Sequence, residues 1–306
     1  MKQMLKTMDN KIALLVIYNH RYDKNIPRIN QVYANRFSYV YHIVPFYDGD
    51  LENVIPVYDN SFQFQGYICQ AYQHLKGKGF THFVCVADDM VINPQLNEHN
   101  FFELSGIDED ACFVHELRDL RDVRRRWFHI GNAIRFSIFN RGLEIDSILP
   151  SREEAQKAFQ RHNIPTRIVP EWPYQSLRRR AKEMLLRYRR ILWYRIIQRI
   201  YFSYPLVGGY SDLIVVPNTV MPKFCQYCGA FAAARLFVEI AIPTSMILCC
   251  DKVQTIQQIR LKNSLILPRN KDRDFLPPLN HSYSQLISAF PEDMLYIHPI
   301  KLSQWK

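Results

Sequence analysis

Along the chain, short unbroken apolar runs alternate with stretches whose apolar residues recur every three or four positions. Ile12–Tyr18 (IALLVIY) is continuous and partly β-branched, the pattern of a strand covered on both faces. Over residues 26–37, Ile29, Val32, Tyr33 and Phe37 fall at helical spacing. Tyr39–Tyr47 (YVYHIVPFY) reads as a second strand. Ser61 is placed to cap a helix in which Phe64, Tyr67, Ile68, Ala71, Tyr72 and Leu75 share one face, with Gly77 and Gly79 ending it. Thr81–Ala87 (THFVCVA) is a third strand that runs straight into Asp88-Asp89. Strand, helix, strand, helix, strand predicts an α/β fold with a Rossmann-type, mostly parallel, doubly wound sheet flanked by helices. Such sheets collect ligands outside the carboxyl ends of their strands, where Asp88-Asp89 falls.

The pattern then becomes irregular over residues 108–204, which read as an insertion. Leu213–Val216 (LIVV) resumes a buried strand, residues 223–241 have the spacing of one helix, and Met294–Leu302 (MLYIHPIKL) is extended. With no repeat and no Pro-, Gly- or Ser-rich linker, the 306 residues read as a single catalytic domain. Its parts are a ligand-binding half at 10–107, the insertion at 108–204, and a second half with the C-terminal segment at 205–306.

Charge sharpens the view of the insertion. The chain carries 39 Lys and Arg against 29 Asp and Glu, a net +10. Leu177–Arg199 holds nine basic residues and one acidic residue, +8 by itself. A nucleic-acid binder more often spreads its basic residues over the fold, so no nucleic-acid partner is expected. Within residues 181–201, Leu185, Tyr188, Leu192, Ile196 and Ile200 fall near one helical face, with Arg180, Arg187 and Arg190 opposite. Arg195 and Arg199 flank the apolar stripe. A basic amphipathic helix reads as binding an anionic membrane surface; a solvated helix covering the core has the same pattern.

Two adjacent carboxylates repel unless a cation compensates them. Mg²⁺ or Mn²⁺ does so, taking oxygen ligands from the protein and from substrate phosphates. A solvated turn or helix cap is the plainer alternative. The run ENVIPVYDNSFQFQGYICQAY…FTHFVCVADDMVINP, and the order strand–helix–strand–helix–strand–Asp-Asp, resemble the nucleotide-binding half of glycosyltransferases of the GT-A fold, in particular those of bacterial surface-polysaccharide clusters. The resemblance covers roughly residues 10–105 and 205–302. It implies a nucleotide-sugar donor, a saccharide or lipid-linked acceptor, and Mn²⁺ or Mg²⁺. Those enzymes often carry Asp-x-Asp, whereas this chain has Asp-Asp-Met; the departure leaves open which carboxylate meets the metal. Asp89 is favoured, with Asp88 toward the ribose or a metal-bound water.

Other candidates follow from the same rim. Tyr18, Asn19, His20 and Arg21 lie past the first strand, and Tyr47 and Asp48 past the second; the resemblance implies base and ribose contacts there, while local packing is the alternative. Glu239 sits in apolar LFVEIAIPTS, and burial raises a carboxyl toward the pKa of a general base; pairing with Arg235 on the same helix is the alternative. Asp212, after Gly208-Gly209, is a candidate acceptor-side catalytic residue or part of a plain turn. His298 and Lys301 resemble the C-terminal His and Lys that close over the donor in several GT-A families, His298 as third metal ligand and Lys301 on the diphosphate; His281 is the rival ligand. Cys225 and Cys228 form Cys-x-x-Cys without a second pair of that spacing, and read as core cysteines.

Two other functions fit parts of the pattern. A Mg²⁺-dependent nucleotidyltransferase acting on a sugar phosphate also uses strand-end carboxylates, but usually carries a glycine-containing phosphate loop. No GxGxxG or GxxxxGK[ST] occurs among only 10 glycines. A non-catalytic membrane or nucleic-acid adaptor leaves the carboxylates unexplained. Lys2 and Lys6 precede an apolar run too short for an export signal, and no apolar run reaches about 18 residues. The cytoplasm is expected, with peripheral attachment to the inner face of the membrane.

Overall fold

The structure is a computed structural model that describes residues 10–120, 131–133, 136, 143–166, 202–266 and 276–306. The basic segment Leu177–Arg199 lies outside the described residues.

Seven strands form the main sheet, in the order β3-β2-β1-β4-β7-β6-β8. They are β1 (Ile12–Ile17), β2 (Val40–Pro45), β3 (Val54–Val57), β4 (His82–Ala87), β6 (Cys112–Val114), β7 (Leu213–Pro217) and β8 (Val253–Gln254). β7 runs antiparallel to both of its neighbours, and the other pairings are parallel. The fold is therefore α/β with a mostly parallel sheet.

Period-two alternation divides the central strand between two cores. Ala13, Leu15 and Ile17 enter one core; Ile12, Leu14 and Val16 enter the other. Helices α2 (Gln65–Leu75), α6 (Met221–Ala233) and α7 (Val238–Cys249) fill the first, joined by α4 (Leu143–Ile148) and α5 (Arg152–Arg161). Helices α1 (Ile26–Tyr33) and α3 (Phe101–Ser105) cover the second face, with the C-terminal segment carrying α8 (Tyr283–Ser288). There a small sheet pairs β5 (Val91–Ile92) with β10 (Met294–His298), and β10 with β9 (Asn263–Ile266). The small sheet brings the last residues of the chain to the end of β4.

Several boundaries differ from the sequence expectation. Thr81–Ala87 contains the fourth strand, because Val54–Val57 forms an edge strand on β2. Its four residues, one of them proline, are too short and interrupted for a periodic signal. The second helix is preceded by a 3₁₀ turn over Ser61–Gln63, and the cap is Asn60, whose side chain accepts from Phe62 N. Cys112–Val114, inside the stretch that reads as irregular, forms a strand of the main sheet. Residues 223–241 are two helices, broken where Arg235 adopts a left-handed φ of 58°. Cys112 and Cys250 form a disulfide across 138 residues. Among the described residues no helix is long and apolar enough to cross a membrane.

Candidate functional site

The sheet order brings one set of strand ends together. The chain winds outward from β1 to β3, then returns across β1 to β4, so a switch point lies between β1 and β4. Asp88 and Asp89 leave the carboxyl end of β4. Because β7 is antiparallel, its amino end lies at the same rim, and Ala87 N donates to Asp212 O at 2.9 Å. Asp212 thus stands beside the Asp88-Asp89 turn, although more than a hundred residues separate them in sequence. β10 delivers His298 to the same place, and Ile300 N donates to Asp89 O at 2.5 Å.

The side chains converge there. His298 Nε2 lies 2.9 Å from Asp89 Oδ1 and 3.8 Å from Asp212 Oδ2. Tyr210 OH is 2.5 Å from His298 Nδ1. Behind this pair, Tyr296 OH contacts His115 Nδ1 at 2.8 Å, and the Tyr210 and Tyr296 rings stack at 6.5 Å. Asn25 Nδ2 spans the switch point, donating to Asp88 O at 3.1 Å and to Asp88 Oδ2 at 3.2 Å.

Burial of so many acids has electrostatic consequences. Asp88 is pushed up to about 7, first by burial and then by the Asp89 charge, against the opposing Asn25 hydrogen bond. Burial also raises Asp212, with His298 and Tyr210 opposing it. Burial alone would lower His298, but its contact with Asp89 and the charges of Asp212 and Asp89 hold it above the ordinary imidazole range.

Glu239 begins α7 next to this cluster. Gly209 N donates to Glu239 O at 2.8 Å, so the loop before β7 is stitched to that helix. Burial and the Asp212 charge raise Glu239 to about 7, with Arg118 opposing. Arg235 is not its partner: the helix break turns Arg235 away to Asp59, at 2.8 Å. Gly209 serves close packing against protein rather than a ligand, since a Cβ there would meet Glu116 O at 2.1 Å.

The rim beyond β1 and β2 is less open than its sequence suggested. Tyr18 is fully buried, and its hydroxyl contacts His42 Nδ1 at 2.9 Å while His42 Nε2 contacts Asn30 Oδ1 at 2.9 Å. That hydroxyl is satisfied inside the protein and is not presented to a ligand. Tyr47 is also buried, its hydroxyl accepting from Leu51 N at 3.4 Å. Arg21 is held by Asp48 at 2.6 Å and Asp23 at 3.0 Å. Asn19, His20 and Asp48 remain exposed. Lys301 is exposed and forms no ion pair among the described residues, and His281 packs on Trp305 at a ring distance of 5.3 Å. Tyr210, His115 and Asn25 were missed in the sequence. They sit in a loop, just past a strand end and in a 3₁₀ turn, without periodicity, and only the sheet order makes them neighbours.

Among the described residues, no three His, Cys, Asp or Glu side chains form a preformed ion cluster. Carboxylate oxygens and an imidazole nitrogen are nonetheless donors that Mn²⁺ or Mg²⁺ accepts. Asp89 Oδ1 is buried without an aligned hydrogen bond. The donor chemistry therefore fits such an ion, while His298 now faces Asp89 as its ion-pair partner. No family model and no curated protein matches the chain.

Proposed function

We propose that the protein is a metal-dependent glycosyltransferase of GT-A type, moving a sugar from a nucleotide-sugar donor to a saccharide or lipid-linked saccharide acceptor. The observation that carries this reading is the convergence of Asp88, Asp89, Asp212 and His298 at one switch-point rim, from three distant segments. A structural ion pair needs two groups. Here three carboxylates and a histidine gather where α/β sheets bind ligands, and strongly perturbed acids cluster at functional sites. The resemblance of the Asp-Asp region and of the C-terminal His to GT-A enzymes supports the same reading.

In this scheme Asp89, Asp212 and His298 would hold the divalent ion, which would supply positive charge to a diphosphate leaving group. Asn25 orients Asp88 toward the donor ribose. Glu239, with a carboxyl near neutrality, accepts the proton of the acceptor hydroxyl as that oxygen attacks the sugar carbon. Tyr210 positions His298 through its Nδ1 contact. Arg21, clasped by Asp48 and Asp23, stands beside the nucleoside end. The test is calorimetric titration of the purified protein with a panel of nucleoside diphosphates and nucleotide sugars, with and without Mn²⁺. Mn²⁺-dependent binding that Asp89→Ala abolishes is expected; equal affinity in wild type and in variants of Asp88 and Asp89 would remove the assignment.

A further inference from the structure

All seven cysteines lie in or against the core on one face of the sheet, and none in the core on the other. Cys112 and Cys250 are paired. Cys69 on α2 faces α6, where Cys225 and Cys228 stand one helical turn apart. The Cys69 sulfur lies 3.1 Å from Cys225 O and 3.0 Å from Gln65 O. Cys69 is partly exposed, whereas Cys225 and Cys228 are buried. A partly exposed cysteine thus rests its sulfur on the backbone of a second, sheltered cysteine of a neighbouring helix, and no step of the transfer reaction uses it.

We infer that Cys69 is an oxidant-sensitive modification site that closes a disulfide with Cys225, tying α2 to α6. The oxidant is a peroxide. The Cys69 thiolate attacks one peroxide oxygen, the O–O bond breaks, and the departing hydroxide takes a proton to become water, leaving a sulfenic acid. The Cys225 sulfur then attacks the Cys69 sulfur; the S–O bond breaks, and hydroxide leaves with the Cys225 proton as a second water. Two thiols lose two electrons in all, and one hydrogen peroxide becomes two waters. Hydrogen bonds from the Cys225 and Cys228 thiols hold the Cys69 thiol below the ordinary thiol range, against the opposing effect of burial. Proximity supplies the rest, because Cys69 Sγ already lies against the backbone of the residue that carries the second thiol. The link stiffens a part of the fold next to the rim: α2 starts just after Asp59, and Asp59 holds Arg235, just beyond the end of α6.

The experiment uses the full chain treated with increasing hydrogen peroxide, alkylated, digested without reduction and mapped by mass spectrometry. A Cys69–Cys225 peptide should appear with dose, beside an unchanged Cys112–Cys250 peptide. Cys69→Ala and Cys69→Ser should each abolish it without shifting the melting temperature of the reduced protein. Cys225→Ser should leave Cys69 as a sulfenic acid that dimedone captures. Cys69 remaining free to iodoacetamide after treatment, or linked to Cys228 instead, would overturn the proposal. None of these readouts depends on the transferase reading.

Discussion

At the scale of single residues, environment sets chemistry more than residue type does. Asp88, Asp212 and Glu239 are acids raised by burial near one another, yet the surroundings suit Glu239 to a different role. It faces Arg118 rather than His298, and a base near neutrality is well matched to a hydroxyl acceptor. Glu239→Gln should spare donor binding and lower turnover by roughly 10²–10⁴-fold. The base must be ionised to act, so wild-type kcat/KM should fall as pH drops below about 7. Near-normal turnover in the variant, or a flat profile through that range, would count against the role. His42 makes the opposite kind of prediction, about stability. Burial lowers it from 6.5 to about 4, so the folded state resists its protonation. Above 6.5 neither state is charged and His42 has no effect on stability. Between 6.5 and 4 the unfolded chain takes up the proton first, and stability is lost as pH falls. The loss has a ceiling of about 3 kcal/mol. Urea melts at pH 7 and pH 4.5 should show it, and His42→Gln should weaken the pH dependence even as it loosens Tyr18.

At the scale of elements, apolar periodicity located β1, β2, β4, β7 and the end of α2 within a residue or two. Each is long enough, or buried evenly enough, for its pattern to stand out. It failed where the backbone departs from the pattern. Residues 223–241 keep helical spacing through the break, because Phe231 and Val238 are buried on either side of it in the same core; nothing in the spacing marks the left-handed Arg235. The loop before β7 shows the converse. Gly208-Gly209 reads in the sequence as part of a plain turn, and in the fold Gly209 allows that loop to lie directly on Glu116. Gly209→Ala places a methyl 2.1 Å from a backbone oxygen that cannot swing away. We expect a loss of roughly 1–3 kcal/mol in chemical denaturation. Because Gly209 N also holds Glu239 O, turnover should drop along with stability. A variant as stable as wild type would mean that the loop relaxes freely.

At the scale of the whole molecule, the main sheet and its two cores account for the described residues, while most of the net +10 resides in Leu177–Arg199. A concentrated charge of that kind acts through its field rather than through the fold. Each basic side chain near an anionic surface contributes about 1 kcal/mol, which salt screens. Co-sedimentation with vesicles containing phosphatidylglycerol should therefore be strong at low salt and weak at high salt. It should be negligible with purely zwitterionic vesicles. Binding indifferent to lipid charge and salt would separate this segment from membrane attachment.

By itself, the sequence determined the α/β class, the strand that ends in Asp88-Asp89, and the uneven charge. These are properties of contiguous stretches, where period, length and composition act locally. Only the tertiary structure decided which residues share the rim. Asp212 reaches Asp89 because β7 runs antiparallel beside β4, and His298 arrives because β10 pairs with β5 just after the acidic turn. The same packing withdrew Tyr18 to His42 and turned Arg235 from Glu239 to Asp59. Side chains brought together from distant segments are governed by strand order and burial, and neither leaves a periodic trace in the chain.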